Sequence, residues 1–254
     1  AWIVGWVLML EYLVGYIAVA SAWTGYLIQF LQGFSKYLPS FIVNPPVWLI
    51  HDYKTAASIL VDKGLDPAVN IPHVLGVPVS LNFPGILMTL IIMGILIKGI
   101  KESAKMAGFM VIIKLAVIVL FLVTGAFYVK PENWTPFAPN GLSGIFMGAF
   151  IIFFAYIGFD ALATAAEETK NPQKNLPIGI IGSLGITTII YVLVALVLCG
   201  IMPIDKIDLQ APIAHAISSV GQGWVAGFIS LGALTGLTSV LMVLMLAATR
   251  ILYA

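Results

Sequence analysis

The sequence predicts an all-α, polytopic membrane protein, and three observations support that prediction. Hydrophobic residues fill 61% of the 254 positions and charged residues only 9%, and the mean hydropathy is +1.06. An ordinary soluble domain is about half apolar and about a quarter charged. The apolar residues also form long runs, which exceed the length of barrel strands and lack their alternation. Lipid is therefore the expected solvent.

Six apolar runs approach the roughly 20 residues that a spanning helix needs. The six runs cover residues 1–31, 83–98, 107–128, 142–166, 176–202 and 224–254. The chain opens and closes within apolar runs. We therefore expect one transmembrane domain over residues 1–254, as a fragment of a longer protein.

The distribution of lysine predicts the orientation of these helices. Lysines are concentrated in the connections at 98–106 and 167–176, whereas the connections at 129–141 and 203–223 carry one each. Positive charge in short loops marks the cytoplasmic side. The first pair of connections is therefore expected inside and the second pair outside, together with the long connector 33–82.

The connector 33–82 is rich in proline, and residues 52–63 are compatible with a short surface helix because long structureless loops are uncommon. It is either an outer cap or a solvated linker without a direct role.

Ionisable residues inside a membrane span are candidates for function, because burying them is costly. Glu11 is one of three. Gly15, Ala18 and Ala22 follow it at helical spacing, which predicts a face of small residues that points Glu11 into the bundle. Glu11 then either handles substrate or protons, or bonds structurally to backbone or tyrosine groups.

Lys114 lies about two turns into the third run, among apolar neighbours. A buried ammonium loses hydration and releases its proton more readily, which suits a proton-coupled machine. The alternative is a side chain that extends to the cytoplasmic interface. Asp160, in the fourth run, is the third residue of this kind.

The fourth run contains the most specific local signal, a glycine at position 158 before the helix ends at a pair of glutamates. Gly141, Gly144 and Gly148 precede it on one face, which is compatible with a closely packed half-helix. A helix broken near Gly158 would free carbonyls on one side and N–H groups on the other, and these complement an ammonium and a carboxylate. An amino acid carries both groups. The alternative is an intact helix with a glycine used for packing.

The sixth run holds a second polar group of residues beside Gly232 and Gly236. Ser239 shares the glycine face, and Thr235 and Thr238 stand next to it. Their hydroxyls either coordinate a cation or hydrogen-bond an amine, or they bond their own helix backbone, as membrane Ser and Thr commonly do.

Several segments resemble one transporter superfamily. Residues 153–180 read FFAYIGFDALATAAEETKNPQKNLPIGI, which is similar to the sixth helix and following loop of the amino acid–polyamine–organocation superfamily, in its cationic amino acid transporter branch. The segments 5–12, 133–137 and 248–251 fit the same branch. The resemblance covers essentially the whole chain.

The resemblance implies a LeuT-type inverted-repeat fold, in which the six runs correspond to family helices three to eight. The first two family helices and those after the eighth would be absent. The fourth run would be the broken helix, with the carbonyls of Phe154, Ala155 and Ile157 facing a substrate ammonium beside Gly158 and the Phe154 ring acting as a lid.

The resemblance also implies roles for the polar residues of the other runs. Lys114 falls where proton-coupled relatives place an amine and sodium-coupled relatives bind sodium, and Thr238 and Ser239 resemble residues that line that position. Glu11 matches a glutamate of the branch and is a further substrate candidate. The role of Asp160 stays open, and Thr235 is an additional candidate.

The expected function is secondary active, proton-coupled uptake of L-amino acids by alternating access, with the proton as coupling ion and no cofactor or metal. Alternatives are a sodium-coupled or exchange-type amino acid or polyamine carrier, a channel and a structural membrane subunit. A bacterial inner membrane is the expected location.

Other classes lack support in the sequence. No H-E-x-x-H motif or cysteine pair indicates an enzyme, and a net charge of +1 gives no footprint for nucleic acid. No disulfide-linked heavy chain is expected, because residues 33–82 contain no cysteine.

Overall fold

The computed structural model describes residues 2–98, 100–158, 169–209 and 211–253, and most of them are helical. The helices are α1 Trp2–Gln32, α2 Ser40–Val43, α3 Val47–Ile50, α4 Tyr53–Asp62, α5 Pro67–Asn70, α6 Phe83–Lys98, α7 Ile100–Ala126, α8 Gly141–Phe153, α9 Pro172–Ile201, α10 Pro212–Ser219 and α11 Gly223–Tyr253. Strands β1 His73–Val74 and β2 Val77–Pro78 form a small antiparallel hairpin. The all-α prediction is confirmed apart from this hairpin.

Each of the six apolar runs contains a helix. Four helices are long and apolar enough to cross a membrane, namely α1, the part of α7 from Lys105 to Ala126, α9 and α11. Helix α6 and the stretch Gly141–Tyr156 are shorter apolar helices. The second run matches α6 at both ends. In the fourth run, α8 ends at Phe153, and residues 159–166 lie outside the part of the chain that the structure describes.

Helix α11 is the centre of the bundle. In the most apolar stretch of α11, 56% of the residues are buried inside the chain, whereas in that of α1 the buried share is 17%. It runs antiparallel to α1, because Gly5 lies near Ile251 while Trp23 lies near Thr238. Burying one helix among others while exposing the rest is the arrangement expected of a membrane bundle, where lipid covers the outer faces.

Glycines set the spacing between α11 and α7. A Cβ placed on Gly232 would overlap the Val117 side chain, and one placed on Gly236 would lie 3.0 Å from Lys114 Cβ. The GxxxG pattern of the sixth run is thus a packing face, as small residues in membrane helices often are.

The outer faces of the helices are apolar and exposed. Ile3 is 72% exposed and Phe150 is 79% exposed, and large apolar residues on a soluble surface would be an aggregation liability. Gly148 also has open space around it. The close packing expected of the glycine face of α8 is therefore not made by the described residues.

The connector between α1 and α6 folds into a small cap. Ala56, Leu60 and Ile71 form its core, and α4 is the surface helix expected near residues 52–63. The cap is joined to the start of α6, since the Leu81 amide donates to the Trp48 carbonyl over 2.8 Å. A solvated linker is excluded for this segment.

The cap shares one end of the bundle with the two lysine-poor connections. Thr24 donates to Asn82 Oδ1 over 2.7 Å, which places the end of α1 beside the start of α6. Gln222 donates to the Tyr128 hydroxyl over 2.7 Å, which joins the connections that follow α7 and α9. Grouping these segments at one end agrees with the alternating orientation that the lysines predict.

Candidate functional site

The helix that begins at Gly141 is interrupted just before Gly158. Helix α8 ends at Phe153, a 3-10 turn covers Phe154–Tyr156, and Ile157 then adopts an extended ψ of 132°. Gly158 has a φ of +110°, a conformation that side chains rarely allow. The alternative of an intact helix is therefore excluded. Asp160 and the rest of the second half lie outside the described residues.

The interrupted segment carries the carbonyl groups that the resemblance assigns to substrate. The Phe154 carbonyl accepts from the Ile157 amide over a long 3.3 Å. The Ala155 carbonyl accepts from the Tyr191 hydroxyl over 2.8 Å. The Phe154 ring is 40% exposed, so it has the freedom that a lid would need.

Helix α1 lies against this interruption. A Cβ on Gly15 would lie 3.8 Å from Ile157 Cγ2 and 3.7 Å from Leu244 Cδ1. Glu11 precedes Gly15 by one turn and is half-buried, so the structure brings it to the same side of α1 as the break. Ala18 faces outward, which corrects the predicted small-residue face at that position.

The side chain of Lys114 extends across α11 inside the bundle. A Cβ built on Gly236 would lie 3.0 Å from Lys114 Cβ and 3.3 Å from Lys114 Cδ. The stem of Lys114 therefore packs against α11. Among the described residues, no carboxylate acts on its ammonium.

A cavity of about 340 Å³ adjoins Lys114, between α7, α9 and α11. Its walls are mostly aliphatic and aromatic, and Tyr191 and Thr187 of α9 contribute to it. Tyr191 therefore contacts both this cavity and the interrupted helix. Ligand pockets commonly combine apolar walls with a few polar groups in this way.

The structure does not bring Thr238 to Lys114. At about 100° per residue, Thr238 lies on nearly the opposite side of α11 from Gly236. Its hydroxyl accepts from Trp23 Nε1 of α1 over 3.0 Å and donates to the Leu234 carbonyl over 2.7 Å.

The other two hydroxyls of α11 bond their own helix. Ser239 donates to the Gly236 carbonyl over 2.6 Å and Thr235 donates to the Gly232 carbonyl over 2.9 Å. Ser239 is buried, one turn from the glycine that contacts Lys114. In the described ranges no cluster of His, Cys, Asp or Glu has the arrangement of a metal site.

Sequence reasoning missed the tyrosines that hold the interruption. Tyr156 and Tyr191 pack edge to face, with ring centroids 5.3 Å apart, and the Tyr156 hydroxyl lies 2.8 Å from Thr188 Oγ1. The available signal was the spacing of Thr188 and Tyr191 on one face of an otherwise apolar helix.

An apolar helical bundle with an interrupted helix and a lysine that lines a cavity within the bundle defines the class of membrane transporters. The comparison with known families agrees and is more specific. The chain belongs to the amino acid permease family, whose model matches residues 1–254.

The relatives of the chain are permeases and transporters rather than enzymes. It is 39% identical over its full length to the methylthioribose transporter of Bacillus subtilis, covering 49% of that protein. It is also 39% identical to the branched-chain amino acid permease BcaP of the same organism, covering 50% of it. With the chloroplastic cationic amino acid transporter 9 of Arabidopsis thaliana it shares 34% identity, over 96% of this chain and 39% of that one. The chain thus spans about half the length or less of these relatives.

Proposed function

We propose that the protein containing this chain carries L-amino acids across a membrane as a proton-coupled secondary transporter. The interrupted helix is the observation that carries the proposal. Its carbonyls are released from regular helical geometry within an apolar segment, and carbonyls at a helix break suit an ammonium group.

Two of the relatives named above support amino acids as the substrate, since their names specify branched-chain and cationic amino acids. A third is named for methylthioribose, which has no ammonium and no carboxylate. Uptake into proteoliposomes that contain the full-length protein separates these substrates. We expect saturable uptake and counterflow with free amino acids, and weak competition by their amides, their esters and methylthioribose. Uptake of methylthioribose without any amino acid would contradict the proposal, and so would linear, channel-like flux.

Lys114 is proposed as the proton-coupling residue, with Ser239 as the neighbouring hydroxyl and Glu11 as a substrate contact. Thr238 faces α1 and is left out of this group. A sodium ion about 4 Å from a protonated amine would be repelled by about 4 kcal/mol at an effective dielectric constant near 20. The Thr238 hydroxyl already accepts a hydrogen bond from Trp23, which further weakens the case for sodium. Release of the Lys114 proton in a water-poor cavity would then alter the contact between α7 and α11.

Three substitutions test the coupling. Lys114→Ala removes the amine, Lys114→Arg keeps the charge but cannot release a proton at working pH, and Lys105→Ala removes an exposed lysine of the same helix as a control. A pH gradient should drive uptake in the native protein and the Lys105 variant, and in neither Lys114 variant. A sodium gradient should have no effect. Sodium-driven uptake, or pH-driven uptake by Lys114→Arg, would refute this mechanism.

We further propose a bacterial inner membrane as the location and no disulfide-linked partner. Fractionation of the native cells and non-reducing gels of the purified protein test these two points.

A further inference from the structure

The hydrogen bond between α9 and the interrupted helix adds a residue to the substrate site. We propose that Tyr191 is a positioning residue, which fixes the Ala155 carbonyl so that its second lone pair faces the substrate ammonium. This inference rests on the proposed function, since it concerns how the same site recognises an amino acid.

The Ala155 carbonyl accepts a donor from another helix at the point where its own helix is interrupted. The ψ of 132° at Ile157 and the φ of +110° at Gly158 depart from helical geometry directly after it. The Tyr191 hydroxyl of α9 donates to this carbonyl over 2.8 Å. A carbonyl oxygen has two lone pairs, so this bond can orient the group without using its whole capacity as an acceptor.

The position of Tyr191 is itself determined by its neighbours. Its ring packs edge to face against Tyr156, and the Tyr156 hydroxyl is bonded to Thr188, three residues earlier on α9. Aromatic pairs of this kind contribute beyond their buried area. Two adjacent contacts therefore join α9 to the 3-10 turn, but only the bond from Tyr191 reaches a proposed substrate ligand.

Tyr191 also connects the two parts of the site. Its side chain lines the cavity that Lys114 and Gly236 line, while its hydroxyl reaches the interruption. A shift of the Ala155 carbonyl on ammonium binding would therefore move a side chain in the wall of the lysine cavity. This gives substrate occupancy a direct contact path to the proposed proton site.

The experiment compares two tyrosines that differ in what their hydroxyls bond. Tyr191→Phe removes the donor to Ala155 and keeps the ring, and Tyr156→Phe removes only the bond to Thr188. In proteoliposomes of the full-length protein, we expect Tyr191→Phe to raise the KM for amino acids about three- to tenfold, the range expected when one hydrogen bond is lost. Maximal rate should change less than twofold. Tyr156→Phe should change KM less than twofold.

Discrimination against N-methyl amino acids supplies a readout that a purely structural role would not change. An N-methyl group removes one ammonium donor, so the native protein should prefer the free amino acid. The preference for the free amino acid over its N-methyl form should become smaller in Tyr191→Phe and stay unchanged in Tyr156→Phe. If the Phe variant does not fold, the same two quantities are measured in Tyr191→His, which keeps a ring N–H donor and should retain the preference.

Unchanged KM and preference in Tyr191→Phe would overturn the inference, and so would equal losses in both tyrosine variants. Neither result would contradict the proposal that the protein transports amino acids. Absence of amino acid uptake by the native protein would instead refute the proposed function.

Discussion

The stem of Lys114 lies flat against Gly236, so that a Cβ on this glycine would approach Lys114 Cβ to 3.0 Å and Cδ to 3.3 Å. The glycine therefore gives the lysine its path through the bundle. Any side chain at position 236 has to displace the amine or separate the two helices.

Alanine at this glycine should impair coupling before it impairs folding. We expect Gly236→Ala to reduce pH-driven uptake severalfold. The added Cβ lies nearest to Lys114 Cβ, which cannot rotate away, so α7 has to shift by a few tenths of an ångström and carry the Lys114 stem with it. Gly227→Ala is the matched control on the same helix, since nothing lies within 4 Å of a Cβ there. It should keep full uptake. Equal uptake by both variants would show that the path of Lys114 is unimportant.

The other glycine of the GxxxG pattern, Gly232, tests helix packing alone. Gly232→Ala should destabilise the protein by about 1–3 kcal/mol, the usual cost of overpacking, because its Cβ meets the branched Val117 side chain. Unfolding in detergent measures this effect. The double variant with Val117→Ala should recover only part of the loss, because the two Val117 methyl groups are removed while its Cβ, 2.7 Å from the added methyl, remains. No recovery at all would contradict the assigned contact.

The bond from Trp23 to Thr238 should contribute measurably to the pairing of α1 and α11. A double-mutant cycle with Trp23→Phe and Thr238→Val should give a coupling of about 0.6 kcal/mol, and up to about 1.7 kcal/mol, as for other hydrogen bonds between membrane helices. Trp2→Phe with Thr238→Val is the control cycle, because Trp2 is exposed at the start of α1. The control should show no coupling. Equal coupling in both cycles would argue against a direct bond.

Replacing Gly158 with alanine should be unfavourable because of the backbone conformation at this position and not because of crowding. None of the residues that the structure describes lies within 4 Å of a Cβ built there, but its φ is +110°. Gly158→Ala should therefore cost about 1–3 kcal/mol of strain and weaken amino acid binding. Gly148→Ala, in an equally open place within α8, should bind normally. Normal binding by Gly158→Ala would mean that the interruption is not needed.

The outer cap should lose stability in acid. Asp52 begins α4 and accepts from the Thr55 hydroxyl over 2.6 Å and from the Lys54 amide over 3.0 Å. The bond from the Thr55 side chain lowers the pKa of Asp52 most, the backbone bonds add to this, and partial burial opposes them. Because the pKa is lower in the folded state, the ionised carboxylate stabilises α4 above the usual value, about 3.9. This stabilisation is lost as pH falls through the folded pKa.

Hydrogen exchange of the amides in Tyr53–Asp62 measures that change. Protection should stay constant from pH 7 to pH 5, after correction for intrinsic rates, and fall below about pH 4. Asp52→Asn keeps a capping oxygen without a charge, so its protection should no longer depend on pH in this range. If the amides of Asp52→Asn lost protection in acid as those of the native protein do, another titrating group would be responsible.

Sidedness is tested by labelling cysteines in intact cells after Cys199→Ser. Glu132→Cys should react with an impermeant reagent from outside, because it lies in a lysine-poor connection. Lys105→Cys should react only after the membrane is opened. Both positions are exposed, so burial cannot explain a difference. Labelling of position 105 from outside would reverse the proposed orientation.

The sequence by itself determined the class of this protein and its long apolar helices, and it marked Gly158 as the place where a helix could be interrupted. These features depend on local chemistry. A run such as 83–98 is almost entirely apolar and matches α6, and Gly158 permits a backbone conformation that other residues resist. Neither feature needs information about which helices are neighbours.

Only the tertiary structure decided which polar groups meet. Thr238 and Ser239 are adjacent in sequence, yet Thr238 bonds to Trp23 of α1 while Lys114 lies against Gly236. The contact of Tyr191 with Ala155 was equally hidden, since the two residues are on different helices. The physical reason is that an apolar membrane helix has little amphipathic pattern to mark its buried side, because lipid and protein neighbours are both apolar. The rotation of each helix, and hence its polar partners, is set by close packing at glycines such as Gly236.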